Sequence, residues 1–325
     1  MKATAVAPSN IAFIKYWGKT DEAINIPANG SISMNLDSLL TTTTVEFSAD
    51  LSKDDIVIDN LKKNDQITRV VQHLDRIRKI VHIIYRARVK SQNNFPQSTG
   101  LSSSASGFAA LTLAASQAAG LRLSQKELSL LSRLGSGSAC RSIPDGFVEW
   151  HGGKTDSTSF AVSLHPADYW DIVDMVVIVS SSKKEVPTSE GQKRAYSSPF
   201  FISRIAGINN KIDKLKNSLR EKDFVSFGEI VESEALELHA IMLTSRPPLV
   251  YLLPETLKII KLVEIWRKKG TPVYFTLNTG QDIHLLCRQK NVRQLQTLVK
   301  KEAAVKKVII NRPARGARLI SSHLF

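Results

Sequence analysis

The chain has 325 residues, 42% hydrophobic and 23% charged, an ordinary globular composition that excludes collagen-like, coiled-coil and disordered classes. No apolar run approaches the roughly 18 residues that span a bilayer, the N-terminus lacks a signal-peptide core, and two cysteines without metal-ligand spacing (Cys140, Cys287) point to a reducing, cytoplasmic setting. The formal charge of +14 fits a solvated basic surface or a site for a small polyanion; the basic residues are scattered and no nucleic-acid module accompanies them, so neither nucleic acid nor membrane is expected as a partner.

The first third reads as strands, with β-branched residues at 42–47 and polar–apolar alternation at 55–59. A long amphipathic helix follows, with Ile67, Val70, Val71, Leu74, Ile77, Val81 and Ile84 at helical spacing. The segment 100–107, GLSSSASG, runs into a helix of small residues ending at a Gly120 cap. Ser124 and Glu127 form a capping box opening a helix through Leu134, which stops at a second small-residue turn, 135–142. Residues 173–179 are a buried-strand run, and the polar stretch 180–198 holds the expected domain change, dividing the chain into 1–182 and 183–325. Helical patterns then cover 199–243 and 255–269, with strands at 273–277, 283–287 and 307–310. Strands and helices interleaved in two parts argue for a two-domain α+β protein.

Two turns and one segment concentrate chemistry. The 100–107 turn, with Gly100, Ser102, Ser103 and Ser104, offers backbone N–H groups and hydroxyls to an anion at a helix start; a serine-capped surface turn fits the pattern as well. The 135–142 turn adds a guanidinium at Arg141, which holds carboxylate or phosphate through paired hydrogen bonds. The segment 8–19 carries Lys15, Tyr16, Trp17, Gly18 and Lys19, readable as a ligand wall or as a strand with packed aromatics and snorkelling lysines. No zincin pattern and no GxSxG occurs; His239 and His284 read as capping or core histidines, and Cys140 as a small buried residue.

The segments NIAFIKYWGK, STGLSSSASGFAAL and GSGSACRS, in this order, resemble the mevalonate diphosphate decarboxylases of the GHMP kinase superfamily, with weaker agreement at GFVEW, SSKKEVPTSEG, HAIMLTSRPP and YFTLNTGQD. The resemblance implies an N-terminal domain like ribosomal protein S5 domain 2, a ferredoxin-like C-terminal domain, a homodimer, and ATP with Mg2+ as co-substrate. It implies ATP-dependent decarboxylation of (R)-5-diphosphomevalonate to isopentenyl diphosphate. By motif, Tyr16, Trp17, Gly18 and Lys19 lie along the substrate diphosphate, and Ser136, Gly137, Ser138, Ala139, Cys140 and Arg141 form the other substrate wall, Arg141 against the carboxylate. Ser189 and, more loosely, Arg69 match substrate-contacting positions. Gly100, Ser102, Ser103 and Ser104 match the ATP phosphate loop, and Lys15 the lysine near the reacting centre. No protein side chain is assigned to the metal.

One position departs from the family. Where the family reads Asp-Ala-Gly-Pro-Asn, with its Asp the proposed base at the C3 hydroxyl, this chain reads Asn278-Thr279-Gly280-Gln281-Asp282. An amide cannot take a proton as a carboxylate does, and loss of a general base costs roughly 10²–10⁴-fold. Three expectations follow: Asp282 reaches the hydroxyl by a shifted turn, orientation by Asn278 suffices, or the activity is changed to that of a phosphomevalonate decarboxylase, a mevalonate 3-kinase or a non-catalytic nucleotide binder. Pro144-Asp145 and Gln192 also differ from the family pattern.

Overall fold

Strand β1 (Lys2–Ile14) alternates little because both its faces are covered, and nearly all of it is buried. It pairs antiparallel with β4 (Ser31–Ser48), whose threonine run 41–44 suits a pleated surface. Between them lie the short pair β2 (Lys19–Asp21) and β3 (Ile26–Pro27). Beyond β4 come β5 (Asp55–Ile58), helix α1 (Ile67–Val81) and β6 (Arg86–Asn93), with β5 parallel to β6. The structure, a computed structural model, describes residues 1–61, 66–95, 101–180 and 185–325. Gly100 and the pairs Lys62-Lys63 and Lys183-Lys184 lie outside the described residues.

Helix α2 (Ser103–Ala118) lays Ala105, Ala109, Ala110 and Ala114 against β1 and β4. Small side chains let its axis approach the sheet closely, which brings its N-terminus over the sheet's end. The predicted capping box is present: Ser124 accepts from Glu127 N, and the Glu127 carboxylate accepts from Ser124 N, opening α3 (Gln125–Gly135). A 3-10 turn, Gly137–Ser142, leads to β7 (Phe147–Trp150) and β8 (Ala161–His165), which extend the first sheet beside β4.

The second layer is an antiparallel sheet ordered β10-β11-β9-β12, from β9 (Ile172–Ile178), β10 (Tyr274–Leu277), β11 (Ile283–Arg288) and β12 (Lys307–Asn311). Its helices are α4 (Thr188–Lys193), α5 (Phe201–Glu221), α6 (Phe224–Thr244), α7 (Pro254–Lys268) and α8 (Val292–Lys300). The helical pattern over 199–243 is two helices, because Lys222 turns left-handed and the Asp223 carboxylate caps α6 by accepting from Val225 N and Ser226 N. The polar stretch after 180 contains α4, which the sequence pattern places in a turn.

Sheet membership differs from the expected junction at 182/183. Strand β9 precedes that point yet belongs to the second sheet, and β13 (Arg318–Ile320) returns to pair with β1. A buried apolar run announces a strand but not its partners. The returning tail makes β1 an interior strand, not an edge.

One buried charge cluster joins the layers. Glu234 of α6 accepts from the Lys15 backbone N–H at 3.0 Å, from Lys211 Nζ at 2.9 Å and from the Arg204 guanidinium. Arg204 also donates to the Asn29 side chain and the Lys15 carbonyl, both at 2.9 Å. Two helices of the second layer thereby fix the C-terminal end of β1.

Candidate active site

A cleft of about 250 Å³ opens where β1 ends, between the α2 N-terminus, the 137–142 turn, α4 and the turn after β10. Its described lining includes Lys15, Lys19, Arg69 and Arg141 and no Asp or Glu. Four basic residues with no carboxylate among the described lining make a cavity suited to a polyanion.

On the phosphate-loop side, Ser102, Ser103 and Ser104 all line the cleft. Ser102 adopts φ 56° and makes no side-chain cap bond to α2, so its hydroxyl is not engaged in capping. A non-glycine residue held left-handed at a helix start is the kind of strain that functional loops carry. The Ser102 hydroxyl instead lies 3.4 Å from Asn278 Nδ2, and Ser104 accepts from the Ser136 hydroxyl at 3.3 Å. The hydroxyls, with the positive end of the 16-residue α2, fit an ATP phosphate chain.

The opposite wall is set by the end of β1. Gly18 takes φ +82°, and a Cβ there would sit 2.5 Å from the Phe201 ring, so only glycine lets the chain turn here. Gly18 N donates to Gln192 Oε1 at 2.6 Å, while Gln192 Nε2 donates to the Tyr16 carbonyl at 3.3 Å. Tyr16 packs edge-on to Trp150, and a Cβ at Gly137 would meet its ring at 2.9 Å. Burial pushes the Tyr16 hydroxyl well above its ordinary pKa. Lys19 Nζ donates to Asn25 Oδ1 at 2.7 Å, and Asn25 in turn donates to the Arg133 carbonyl.

Arg141 forms the floor. Its Nη1 donates to Ser31 Oγ at 2.8 Å and its Nη2 to Asn10 Oδ1 at 3.0 Å, with the guanidinium over the Trp150 ring. Both acceptors are neutral. Arg69 reaches the cleft from α1, donating to the Gly135 carbonyl at 2.8 Å. Ser136, Gly137, Ser138 and Ser189 also line the cleft. Lys15 sits between the two walls, 2% exposed, its Nζ donating to the Ala12 carbonyl at 2.6 Å and lying 3.5 Å from Asn278 Oδ1. Burial pulls its pKa down to about 7, only partly opposed by Glu234.

Several expected site residues are placed elsewhere. Ala139 packs into the first-layer core, and Cys140 turns inward to Val148 and Trp150 with its thiol on the Gly137 carbonyl, because in a 3-10 turn residues three apart, Ser138 and Arg141, share the cleft face and the two between them point away. Gly18 acts through its backbone behind the lining, whereas Trp17, although almost wholly packed among Phe201, Leu238 and Met242, still reaches the cleft wall. Asp282 does not line the cleft: its Oδ1 accepts from Val179 N at 3.2 Å, pinning the start of β11 to the end of β9. Gln192, which departs from the family pattern, holds site residues in place, as do Asn10, Ser31, Asn25 and Glu234, none of which was anticipated.

Two tests arise here. Gln192→Ala frees the Tyr16–Gly18 backbone, so KM for the anionic substrate is expected to rise about tenfold with kcat nearly unchanged, as for lost ground-state positioning of roughly 1–2 kcal/mol; steady-state kinetics reads the split, and an unchanged KM refutes it. Asp282→Asn is expected to leave turnover intact. Burial raises the Asp282 pKa from 3.8 to about 6, so the folded state binds its proton more tightly than the unfolded chain does. That contribution is full below about pH 4 and is lost as pH rises through 6. The variant is therefore more stable at pH 7.5, by the order of 1 kcal/mol, and equal near pH 4; urea titrations at the two pH values read this.

The family model described as the diphosphomevalonate decarboxylase-like N-terminal domain matches residues 7–161, and that of the mevalonate 5-diphosphate decarboxylase C-terminal domain matches 174–318. A diphosphomevalonate decarboxylase of Candida albicans is 34% identical over 317 residues, covering 92% of this chain and 88% of its own. The mevalonate diphosphate decarboxylase structure from Staphylococcus aureus superposes with TM-score 0.94 at 36% identity over 98% of each chain. A structure of MDDEF in complex with MVAPP, AMPPCP and magnesium gives 0.93 at 36% identity over 99% of each.

Proposed function

The chain belongs to the diphosphomevalonate decarboxylase family, and we propose from that premise how its own residues perform the reaction. The protein catalyses ATP-dependent decarboxylation of (R)-5-diphosphomevalonate to isopentenyl diphosphate in the mevalonate pathway, using ATP with Mg2+. One observation carries the residue assignment: a serine loop at a helix N-terminus shares a single cleft with Lys19, Arg69 and Arg141, and Lys15 lies between the walls.

In this reading Ser102, Ser103 and Ser104 receive the ATP phosphates and, with Mg2+ when it is bound, offset their charge. Tyr16, Lys19, Arg69 and Ser189 hold the substrate diphosphate, with Gln192 fixing their strand. Arg141 orients the carboxylate. Phosphorylation of the tertiary C3 hydroxyl turns a poor leaving group into phosphate; its departure leaves positive character at C3, which loss of carbon dioxide quenches. Such a reaction is governed by positioning and electrostatics, and Lys15 lies where negative charge builds on the departing phosphate. The family resemblance extends the proposal to a homodimer working in the cytoplasm, which light scattering and fractionation test.

Incubation with Mg-ATP and, separately, mevalonate, its 5-phosphate and its 5-diphosphate checks the assignment. Stoichiometric ADP and carbon dioxide are expected with the diphosphate alone. ADP without carbon dioxide would identify a 3-kinase, the reading that Asn278 in place of a carboxylate favours.

A further inference from the structure

Phosphorylating a tertiary hydroxyl releases a proton, and the described cleft lining offers no carboxylate to take it. Asp282 faces β9, and Asp174 is held by His284 and Asn311 inside the second sheet. Glu234 is engaged by Arg204, Lys211 and the Lys15 backbone. Arg69 and Arg141 are guanidinium groups that keep their protons. Tyr16 is a buried phenol with a raised pKa, and Lys19 lies at the far end against Asn25. Lys15 is the amine between the two walls, with Asn278 bridging it to Ser102 of the phosphate loop.

We propose that Lys15, as the neutral amine, accepts the proton of the tertiary hydroxyl, and that Asn278 holds it against the phosphate loop. The inference rests on the decarboxylase reading above. The amine lone pair takes the hydroxyl proton; the hydroxyl oxygen bonds to the γ-phosphorus as the bond to the bridging oxygen breaks and ADP leaves. The C3–O bond then breaks with its electron pair, releasing phosphate beside the new ammonium. The C–C pair of the carboxylate forms the alkene as carbon dioxide departs, and the ammonium returns its proton to phosphate or solvent.

The surroundings fit an amine that changes charge. Burial favours the neutral form, as do Arg141 from the 137–142 turn and Arg204 from α5, while Glu234 of α6 and Asp174 of β9 favour the charged form. His239 of α6 also lies near and, with its own pKa lowered to about 4 by burial, is neutral at pH 7. A carboxylate at 278 would stand beside the ammonium and hold it protonated; the amide does not.

The test follows lysine Cε resonances of the intact resting protein through pH 5.5–10, alongside kcat/KM for diphosphomevalonate. One lysine, identified by its loss in Lys15→Arg, is expected to titrate near pH 7, and above 9 in Asn278→Asp. In the wild type kcat/KM falls about tenfold per pH unit below that midpoint, because protonated Lys15 is inactive. In Asn278→Asp the limb moves to lower pH as the carboxylate takes over, a shift that titration of the unchanged substrate cannot produce. On the loaded enzyme, kcat shows its limb at higher pH because bound phosphates favour the ammonium. Lys15→Arg is expected to lose about 10²–10⁴-fold in kcat while substrate affinity by calorimetry stays within a few fold. A wild-type lysine still charged at pH 9, or turnover independent of pH between 6 and 8, overturns the proposal. No carbon dioxide at any pH overturns the decarboxylase reading instead, and the resting titration separates the two failures.

Discussion

Arg141→Ala lowers kcat/KM for diphosphomevalonate by about 10²–10³-fold while binding of a non-hydrolysable ATP analogue stays within about twofold. The guanidinium is buried, 4% exposed, and its hydrogen-bond acceptors, Ser31 and Asn10, are both neutral. A buried cation without an anionic partner is held at a cost in folding energy, since burial alone disfavours its charge. Its charge is therefore open to a ligand, and in the proposed reading the substrate carboxylate supplies the missing anion. The same reasoning gives a sign for stability: removing this cation leaves unfolding free energy unchanged or raised, whereas a purely structural arginine would leave it lowered. Arg141→Lys, which keeps charge but loses the paired donors, falls between the two in rate. Kinetics, analogue titration and urea unfolding on one preparation decide the matter. Near-normal turnover in Arg141→Ala would remove the residue from the reaction.

The second large effect falls on folding. Glu234→Gln is expected to destabilise the protein by about 3–5 kcal/mol, the usual result of stripping one partner from a buried ion pair. Glu234 is 0% exposed and receives Arg204, Lys211 and the Lys15 N–H. With the carboxylate gone, the Arg204 charge stays buried between α5 and α6. The exposed end of the cluster, Lys211 with Glu237, carries far less, and Glu237→Gln is expected to cost under about 1 kcal/mol. Because Glu234 also fixes the end of β1, Glu234→Gln loses activity at temperatures where it is still folded. Urea unfolding measures the first claim, and equal midpoints for the two variants would refute it.

Much of the architecture is legible locally. The capping box at Ser124, the Gly120 stop, the amphipathic α1 and the buried run of β9 each follow from short-range spacing; all form within a residue or two of their expected bounds except α1, which stops at Val81, short of Ile84, where His82 turns left-handed. Elements read less easily have mixed patterns. Strand β6, with alternating charge, and the three-residue β13 gain their identity from neighbours in the sheet. Helix α8 does carry Val292, Leu295 and Val299 at helical spacing, a signal obscured by the charged residues around it.

The site divides in the same way. The 102–104 serines, the 15–19 segment and Arg141 announce themselves because a small-residue turn or an aromatic–lysine cluster is unusual by itself, and the fold gathers them at one cleft. The choice between Asn278 and Asp282 was not local. Four residues apart on one turn, they are equivalent in sequence, yet the pairing of β10 with β11 sends Asn278 to the cleft and ties Asp282 to Val179. Gln192, Asn10 and Glu234 matter through partners 131 to 219 residues away, distances over which no spacing rule operates. The sequence by itself determined which groups of this protein are suited to anions, since that depends on residue type and local backbone. Tertiary structure alone decided which carboxylates stay out of the described cleft lining and which lysine is buried between its walls, because burial and pairing are properties of the packed chain.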